Sequence, residues 1–362
     1  MTLQPEPDEP SAEAAIDPDA SLQRRLTWLR GRDTPPRSHT VAKRGSTLRS
    51  CSSPSLPGFA GAQIARADGA RCPYRRAVPN TQDLAGRFIV ITGATSGIGR
   101  AAAEKLASRG ASLVLACRSE EKTKPVLEAT RAAGATDVQF VPLDLGSFAS
   151  VRECAARIDA LGRPIDVLVN NAGLAGQRGA TKEGFELAFG TNHLGHFLLT
   201  ALLAPRLRAA RSARIVNVAS KAHYDATRGI DYDAVRKPTR SITGLPEYAV
   251  SKLANVLFTR ELARRIGPQG VHSYSLHPGV VASDAWRRVP WPIRPLMKMG
   301  MISNDEGALT TLYCATSPVV ASHDGRYYDE CREKAPSPIA LDDEAAALLW
   351  QKSVEFTGAD LA

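Results

Sequence analysis

Tyr248 and Lys252 stand four residues apart in a stretch of helical pattern, so their side chains share one face. The pairing has a chemical use. A free phenol, with a pKa of about 10, is a poor base at neutral pH, and a neighbouring ammonium stabilises the phenolate. Taken alone, a tyrosine and lysine at this spacing read equally well as a surface pair; their company decides. Ser220 closes a run of buried-strand type, which would leave its hydroxyl at the carboxyl edge of a sheet. Asn170 and Asn171, followed by Ala172 and Gly173, end another such run, where amides and backbone would line a ligand's path. Asn192 lies inside a helical pattern although Asn is a mediocre helix former; a functional amide and a satisfied buried one both fit. His193 and His196 read as core or capping residues, because Tyr248 already fills the proton-transfer role.

A second constellation precedes these residues. Gly93, Gly97 and Gly99 follow a strand-like run and open a helical one, with Thr95, Ser96 and Ile98 between and beside them. Without Cβ atoms the loop can turn sharply and bring backbone N–H groups and a helix N-terminus against a pyrophosphate. The spacing is Gly-x-x-x-Gly-x-Gly rather than Gly-x-Gly-x-x-Gly, and a purely structural strand-to-helix turn would use the same residues. About 20 residues further on, where an acid would bind the ribose 2′-hydroxyl of NAD, stands Arg118, with Lys122 one helical turn later. A guanidinium there suits a 2′-phosphate, so the cofactor read from the sequence is NADP. Glu120 and Glu121 are close by, and a surface arginine touching no cofactor is the competing reading.

The elements that must position these groups are legible from residue 87 onward. Strands are expected over 88–92, 112–116, 138–142, 167–170, 214–219 and 271–276, with helices near 98–109, 119–133, 147–162, 183–208 and 246–266. This alternation predicts an α/β fold: a doubly wound, Rossmann-like parallel sheet in a three-layer α/β/α sandwich, one domain spanning 87–362. Residues 1–86 are rich in Pro, Ser, Arg and Ala without sustained periodicity and read as a disordered extension, with a short helix conceivable over 21–29. The net charge of +9 is uneven. Positions 1–20 carry six acids and no base, whereas 21–86 carry twelve bases against three acids. The rest is spread thinly, which argues against a nucleic-acid surface. Six cysteines without a Cys-x-x-Cys pair or clustered histidines argue against a metal site and suggest reduced structural thiols. No uninterrupted apolar run reaches membrane-spanning length, and the expected location is cytoplasmic.

Taken together, the run Thr92 to Gly99, the Asn170 to Gly173 run, Asn192, Ser220, Tyr248 with Lys252, and His277-Pro278-Gly279 resemble, in order, the short-chain dehydrogenase/reductase family from Arg87 to about Glu355. The stretches 116–122, 192–200, 248–255 and 325–350 are most similar to its retinol-dehydrogenase-like branch. The resemblance implies that Asn192, Ser220, Tyr248 and Lys252 form a proton-relay tetrad, with Asn192 holding a water. It also implies that Asp144 and Leu145 flank the adenine and that Pro278 and Gly279 border the cofactor. The implied reaction is hydride transfer between nicotinamide and a carbonyl or alcohol, with Tyr248 as general acid or base. Ala219 stands where the family often has a first serine. A long polar loop over 221–244, containing His223, Tyr224 and Tyr232, and a Trp- and Met-rich run over 286–301 are candidate substrate elements, the latter a lid, a packed segment or a membrane-contacting surface. A small lipophilic substrate and a monomer or homodimer are expected. Two other readings remain: a catalytically silent NADP-binding interaction protein, and an epimerase or dehydratase, for which the chain after His277 looks short.

Overall fold

The computed structural model describes residues 72, 74, 82–279 and 302–361. Most of the proposed N-terminal extension, the helix over 21–29 and the whole of the 286–301 run lie outside them.

Strands β1 (Phe88–Thr92), β2 (Ser112–Cys117), β3 (Val138–Pro142), β4 (Val167–Asn170), β5 (Ala213–Val218), β6 (Val271–His277), β7 (Arg326–Asp329) and β8 (Arg332–Glu333) form one sheet in the order β3-β2-β1-β4-β5-β6-β7-β8. All neighbours run parallel except β7 and β8. Parallel strands covered on both faces need apolar residues at successive positions, and β1 shows why: all five residues are buried. Phe88 and Val90 join the core on one side, Ile89 and Ile91 that on the other. Helices α1 (Gly97–Ala107), α2 (Glu120–Ala133) and α6 (Asn304–Thr316) cover the second face. On the first lie α3 (Phe148–Asp159), α4 (Leu187–Arg208), α5 (Leu245–Ile266) and α7 (Asp343–Thr357). The strand order reverses between β1 and β4, which makes the crevice at their carboxyl ends the place for a ligand.

By length and a mean hydropathy of 1.2, α4 could cross a membrane, yet it is 83% buried inside the protein and serves as a core helix. Residues Gly190–Leu194 within it form a π-helical turn, which accounts for the anomalous asparagine at 192.

One expectation, that the thiols are all reduced, is corrected at the edge of the fold. Cys72 and Cys331 are joined in a disulfide across 259 residues, a pairing no local spacing rule could find; Cys117, Cys154 and Cys314 are free and buried. Within the first 86 positions, Cys72, Tyr74 and Leu84 are buried. The Tyr74 ring lies edge-on to Tyr313 at 5.4 Å, and its hydroxyl meets Thr316 at 2.6 Å. Arg109, itself buried, donates to Tyr74, Thr316 and Asp83. Aromatic area and a shared guanidinium thus anchor this part of the extension to α6.

Candidate active site

The glycine turn is built against the exit of β4. Gly93 adopts φ +70°, and a Cβ there would stand 2.8 Å from Ala172. A Cβ on Gly99 would stand 2.4 Å from both the Asn171 amide nitrogen and the Gly93 carbonyl oxygen. Asn171 fastens the turn by donating to the carbonyls of Thr92 at 2.9 Å and Gly93 at 3.2 Å. The first turn of α1 contains no acid, and its N-cap, Ser96, makes no side-chain bond to the helix. Its N-terminal N–H groups are therefore left for an external anion. These features, together with side chains excluded where a phosphate backbone would approach, fit a dinucleotide. Thr95 and Ile98 are half-buried along this turn.

Other cofactor candidates line the same edge. Arg118 follows β2 directly, is exposed, and has no hydrogen bond or ion pair with another described residue; Lys122 is exposed one turn away. After β3, Asp144 accepts from the Gly146 N–H at 3.0 Å, and Leu145 is buried against Gly195. Ala172 and Gly173 follow β4, and Pro278 and Gly279 follow β6, with Gly279 at φ +91°.

The four proposed catalytic residues converge. The Ser220 side chain lies beside the Tyr248 phenol and favours its ionised form. The Lys252 ammonium lies 5.6 Å from the Tyr248 ring centroid and donates to the Val218 carbonyl at 2.8 Å. A Cβ on Gly173 would stand 3.2 Å from the Asn192 amide oxygen and 3.5 Å from the Lys252 nitrogen, which places those two groups around one backbone. Burial governs the electrostatics. It lowers Lys252 to about 8. It raises the Tyr248 phenol, opposed only by the neighbouring Ser220 side chain. The sequence argument expected the ammonium to depress the phenol. In the folded chain desolvation dominates both groups and reverses that direction.

The Asn192 side chain is tethered at both ends of its amide. Its amide oxygen accepts from Leu174 N–H at 2.9 Å, and its amide nitrogen donates to the Leu174 carbonyl at 3.0 Å and Ser251 at 2.9 Å. Ser251 in turn donates to the Tyr248 carbonyl. The side chain thus joins the loop after β4 to α5.

His196 links that turn to β1. Thr92 Oγ1 accepts the N–H groups of Asn171 and Ala172, so its proton is free for His196 Nε2 at 2.9 Å, while His196 Nδ1–H donates to the Asn192 carbonyl. Burial lowers this imidazole to about 4, so it is neutral and structural. Thr92 and Ser251 were passed over by sequence reasoning; only the position of Thr92 at a strand end hinted at a role.

The 221–244 loop is firmly tied. Glu186 and Thr239 are bonded at 2.5 Å, and Glu247 accepts from the Ser241 N–H at 2.8 Å. A cavity of about 510 Å³ lies here, its lining mixing charged side chains such as Glu186, Arg228 and Asp231 with apolar ones such as Phe189, Val235 and Val250. Its α5 contributors, Pro246, Glu247 and Val250, turn to the face opposite Tyr248 and Lys252, so this cavity is separate from the catalytic group.

Comparisons with known proteins agree with this geometry. The short chain dehydrogenase family model matches residues 87–291. Human retinol dehydrogenase 13 is 37% identical over 317 residues, covering 84% of this chain and 93% of that protein. Human dehydrogenase/reductase SDR family member 13 is 42% identical over 287 residues, covering 76% and 74%. A crystal structure of an uncharacterised protein from Mycobacterium paratuberculosis superposes with a TM-score of 0.63 at 33% identity, covering 77% of this chain and 96% of that one. With a glycine turn at the topological switch point and a Ser–Tyr–Lys group at the sheet's carboxyl edge, the chain belongs to the short-chain dehydrogenase/reductase family of alcohol- and carbonyl-acting oxidoreductases, in its retinol-dehydrogenase-like branch.

Proposed function

We propose that this protein is an NADP-dependent oxidoreductase acting on a carbonyl or alcohol of a lipophilic small molecule, with Tyr248 as the general acid or base. The observation that carries the reading is the convergence of Ser220 and Tyr248, with Lys252 beside the phenol ring, at the mouth of the β1–β4 crevice. Arg118, exposed and uncommitted at the end of β2, supports NADP over NAD. The retinol dehydrogenase name of a 37% identical relative supports a lipophilic substrate.

A bound nicotinamide dinucleotide would supply or accept the hydride. Gly93, Thr95, Ser96, Gly97, Ile98 and Gly99 would hold its pyrophosphate, Arg118 and Lys122 a 2′-phosphate, and Asp144 and Leu145 the adenine. Asn171, Ala172, Gly173, Pro278 and Gly279 would line the remaining path. Ser220 orients the substrate oxygen by hydrogen bonding. In the reductive direction Tyr248 gives that oxygen its proton, and in the oxidative direction it takes one. The raised phenol favours the protonated donor at neutral pH. Lys252 supplies positive charge beside the phenol and a donor for a sugar hydroxyl, and Asn192 would hold a relay water. A cytoplasmic, monomeric or homodimeric protein, with reversible membrane contact through the 286–301 run, completes the proposal; fractionation and light scattering test those parts.

The decisive experiment is an NADPH-oxidation screen over ketones, aldehydes and retinoid-like compounds. Tyr248→Phe should abolish turnover while leaving NADPH affinity nearly intact, and Arg118→Ala should weaken NADPH without weakening NADH. Undiminished turnover in the first variant, or tighter binding of NADH than NADPH by the parent, overturns the corresponding part.

A further inference from the structure

The Ser220 carbonyl and the Lys221 N–H belong to one peptide plane, and a buried imidazole holds each end of it. His223 Nδ1 meets the Ser220 carbonyl oxygen at 2.6 Å, and the Lys221 N–H points to His277 Nδ1 at 3.3 Å. A carbonyl only accepts, so His223 carries its proton on Nδ1, and its Nε2 accepts the Ser337 N–H at 3.1 Å. A backbone N–H only donates, so His277 Nδ1 is bare and the neutral ring carries its proton on Nε2.

Both rings are fixed by their surroundings. His223 is fully buried between Tyr224, at 4.1 Å, and the edge-on ring of Tyr327, at 4.8 Å. His277 closes β6 opposite Asp329, its register partner on β7. His277 Nε2 and Asp329 Oδ1 are buried and unpartnered among the described residues, a complementary donor and acceptor that one water could join. The other Asp329 oxygen takes the ammonium groups of Lys334, at 3.0 Å, and Lys221, at 3.2 Å, so Lys221 is held at both its backbone and its side chain. Burial lowers His223 and brings His277 to about 4, which leaves both rings neutral at pH 7.

We infer that His223 and His277 are positioning residues for the reaction: two imidazoles of opposite tautomer lock the peptide plane after Ser220 and thereby aim its hydroxyl at Tyr248 and the substrate oxygen. The Ser220 hydroxyl accepts the Ala222 N–H at 3.2 Å, so its own proton is directed by the same turn. Rotation of that plane would withdraw the Ala222 N–H that orients the hydroxyl. Misplacement of a reacting group by about 1 Å costs on the order of 100-fold in rate. This inference rests on the oxidoreductase reading above.

Long-range 1H–15N correlation of the histidine-labelled full chain at pH 7 tests the geometry without any substrate. His223 should show the Nδ1–H pattern and His277 the Nε2–H pattern, assigned by their loss in His223→Asn and His277→Asn. Either ring in the opposite tautomer, or cationic, overturns the inference. Kinetics test the consequence. His223→Leu and His277→Leu should lower kcat by about 10- to 100-fold at unchanged KM for NADPH, normalised to bound cofactor. The Asn variants should recover most of that loss, because the Asn amide offers a donor at 223 and an acceptor at 277. If the Leu variants fail to fold, Asn variants compared with Ala variants carry the same comparison. A fully active parent with wild-type kcat in the Leu or Ala variants sinks the positioning role. A parent that turns over no carbonyl or alcohol sinks the oxidoreductase reading instead, while the tautomers still report on the peptide lock.

Discussion

Replacing Lys252 by Met should make the apoprotein more stable while destroying its activity. The ammonium is 4% exposed, and burial brings its pKa from 10.5 to about 8. A tenfold change in a protonation equilibrium is worth about 1.4 kcal/mol, so keeping Lys252 charged inside the folded protein costs about 3 kcal/mol at pH 7. Met fills a similar volume without that cost. The Val218 carbonyl loses its 2.8 Å donor and keeps only Asn255 at 3.4 Å, which takes back about 1 kcal/mol. The expected net gain at pH 7 is about 2 kcal/mol.

The pH dependence is the sharper test. Below a pH of about 8 the lysine is charged in both the folded and unfolded chains, and the full cost is present. Between about 8 and 10.5 the folded lysine is neutral while the unfolded one still binds its proton, so parent stability rises with pH. The cost nearly vanishes by pH 10, leaving the variant level with the parent or below it. Urea unfolding of both proteins at pH 7 and pH 10, with unchanged m-values, measures this difference, and every other titration cancels in the comparison. A variant less stable than its parent at pH 7, or an equal difference at both pH values, would refute the claim that burial controls Lys252.

Three other outcomes are expected. Gly99→Ala, whose methyl would stand 2.4 Å from the Gly93 carbonyl oxygen, should destabilise the fold by about 1–3 kcal/mol and abolish dinucleotide binding; calorimetric titration at parental affinity would contradict the packed turn. Because burial raises the Tyr248 phenol, alcohol oxidation should accelerate with rising pH through the alkaline range, whereas carbonyl reduction should fall only as pH passes about 8 and Lys252 loses its proton; transient kinetics in both directions would expose identical profiles, which the assignment forbids. Protein denatured without reductant should titrate two fewer thiols than the six found after reduction, and equal counts would remove the Cys72–Cys331 bond.

The strands that carry the site were readable because each is buried on both faces, which writes an unbroken apolar run between breakers: β1 to β6 lie within a residue or two of their expected bounds. The C-terminal elements were not parsed. β7 is only four residues, Arg326–Asp329, and its core content is two tyrosines. Helix α6 is buried on most sides, so its apolar residues trace no single stripe. The site shows the same division. Ser220, Tyr248, Lys252 and the glycines were visible because their chemistry demands a residue type at a fixed spacing. Thr92 and Ser251 were not, since each acts by accepting or donating to backbone groups that any sequence possesses.

That division explains where the sequence argument misjudged mechanism. It assigned electrostatic roles from residue types alone, so the Tyr248–Lys252 pair was read as a charge beside a phenol. In the folded chain burial is the larger influence on each, and the contact that stabilises the phenolate comes from Ser220. The direction of Ser220 depends in turn on a peptide plane fixed from β6 and from the 3-10 turn after β5. The reacting groups sit on two elements far apart in sequence, α5 and the end of β5. Their alignment must therefore be specified by tertiary hydrogen bonds, and residues such as His223 and His277, whose partners are backbone atoms, are where that specification resides.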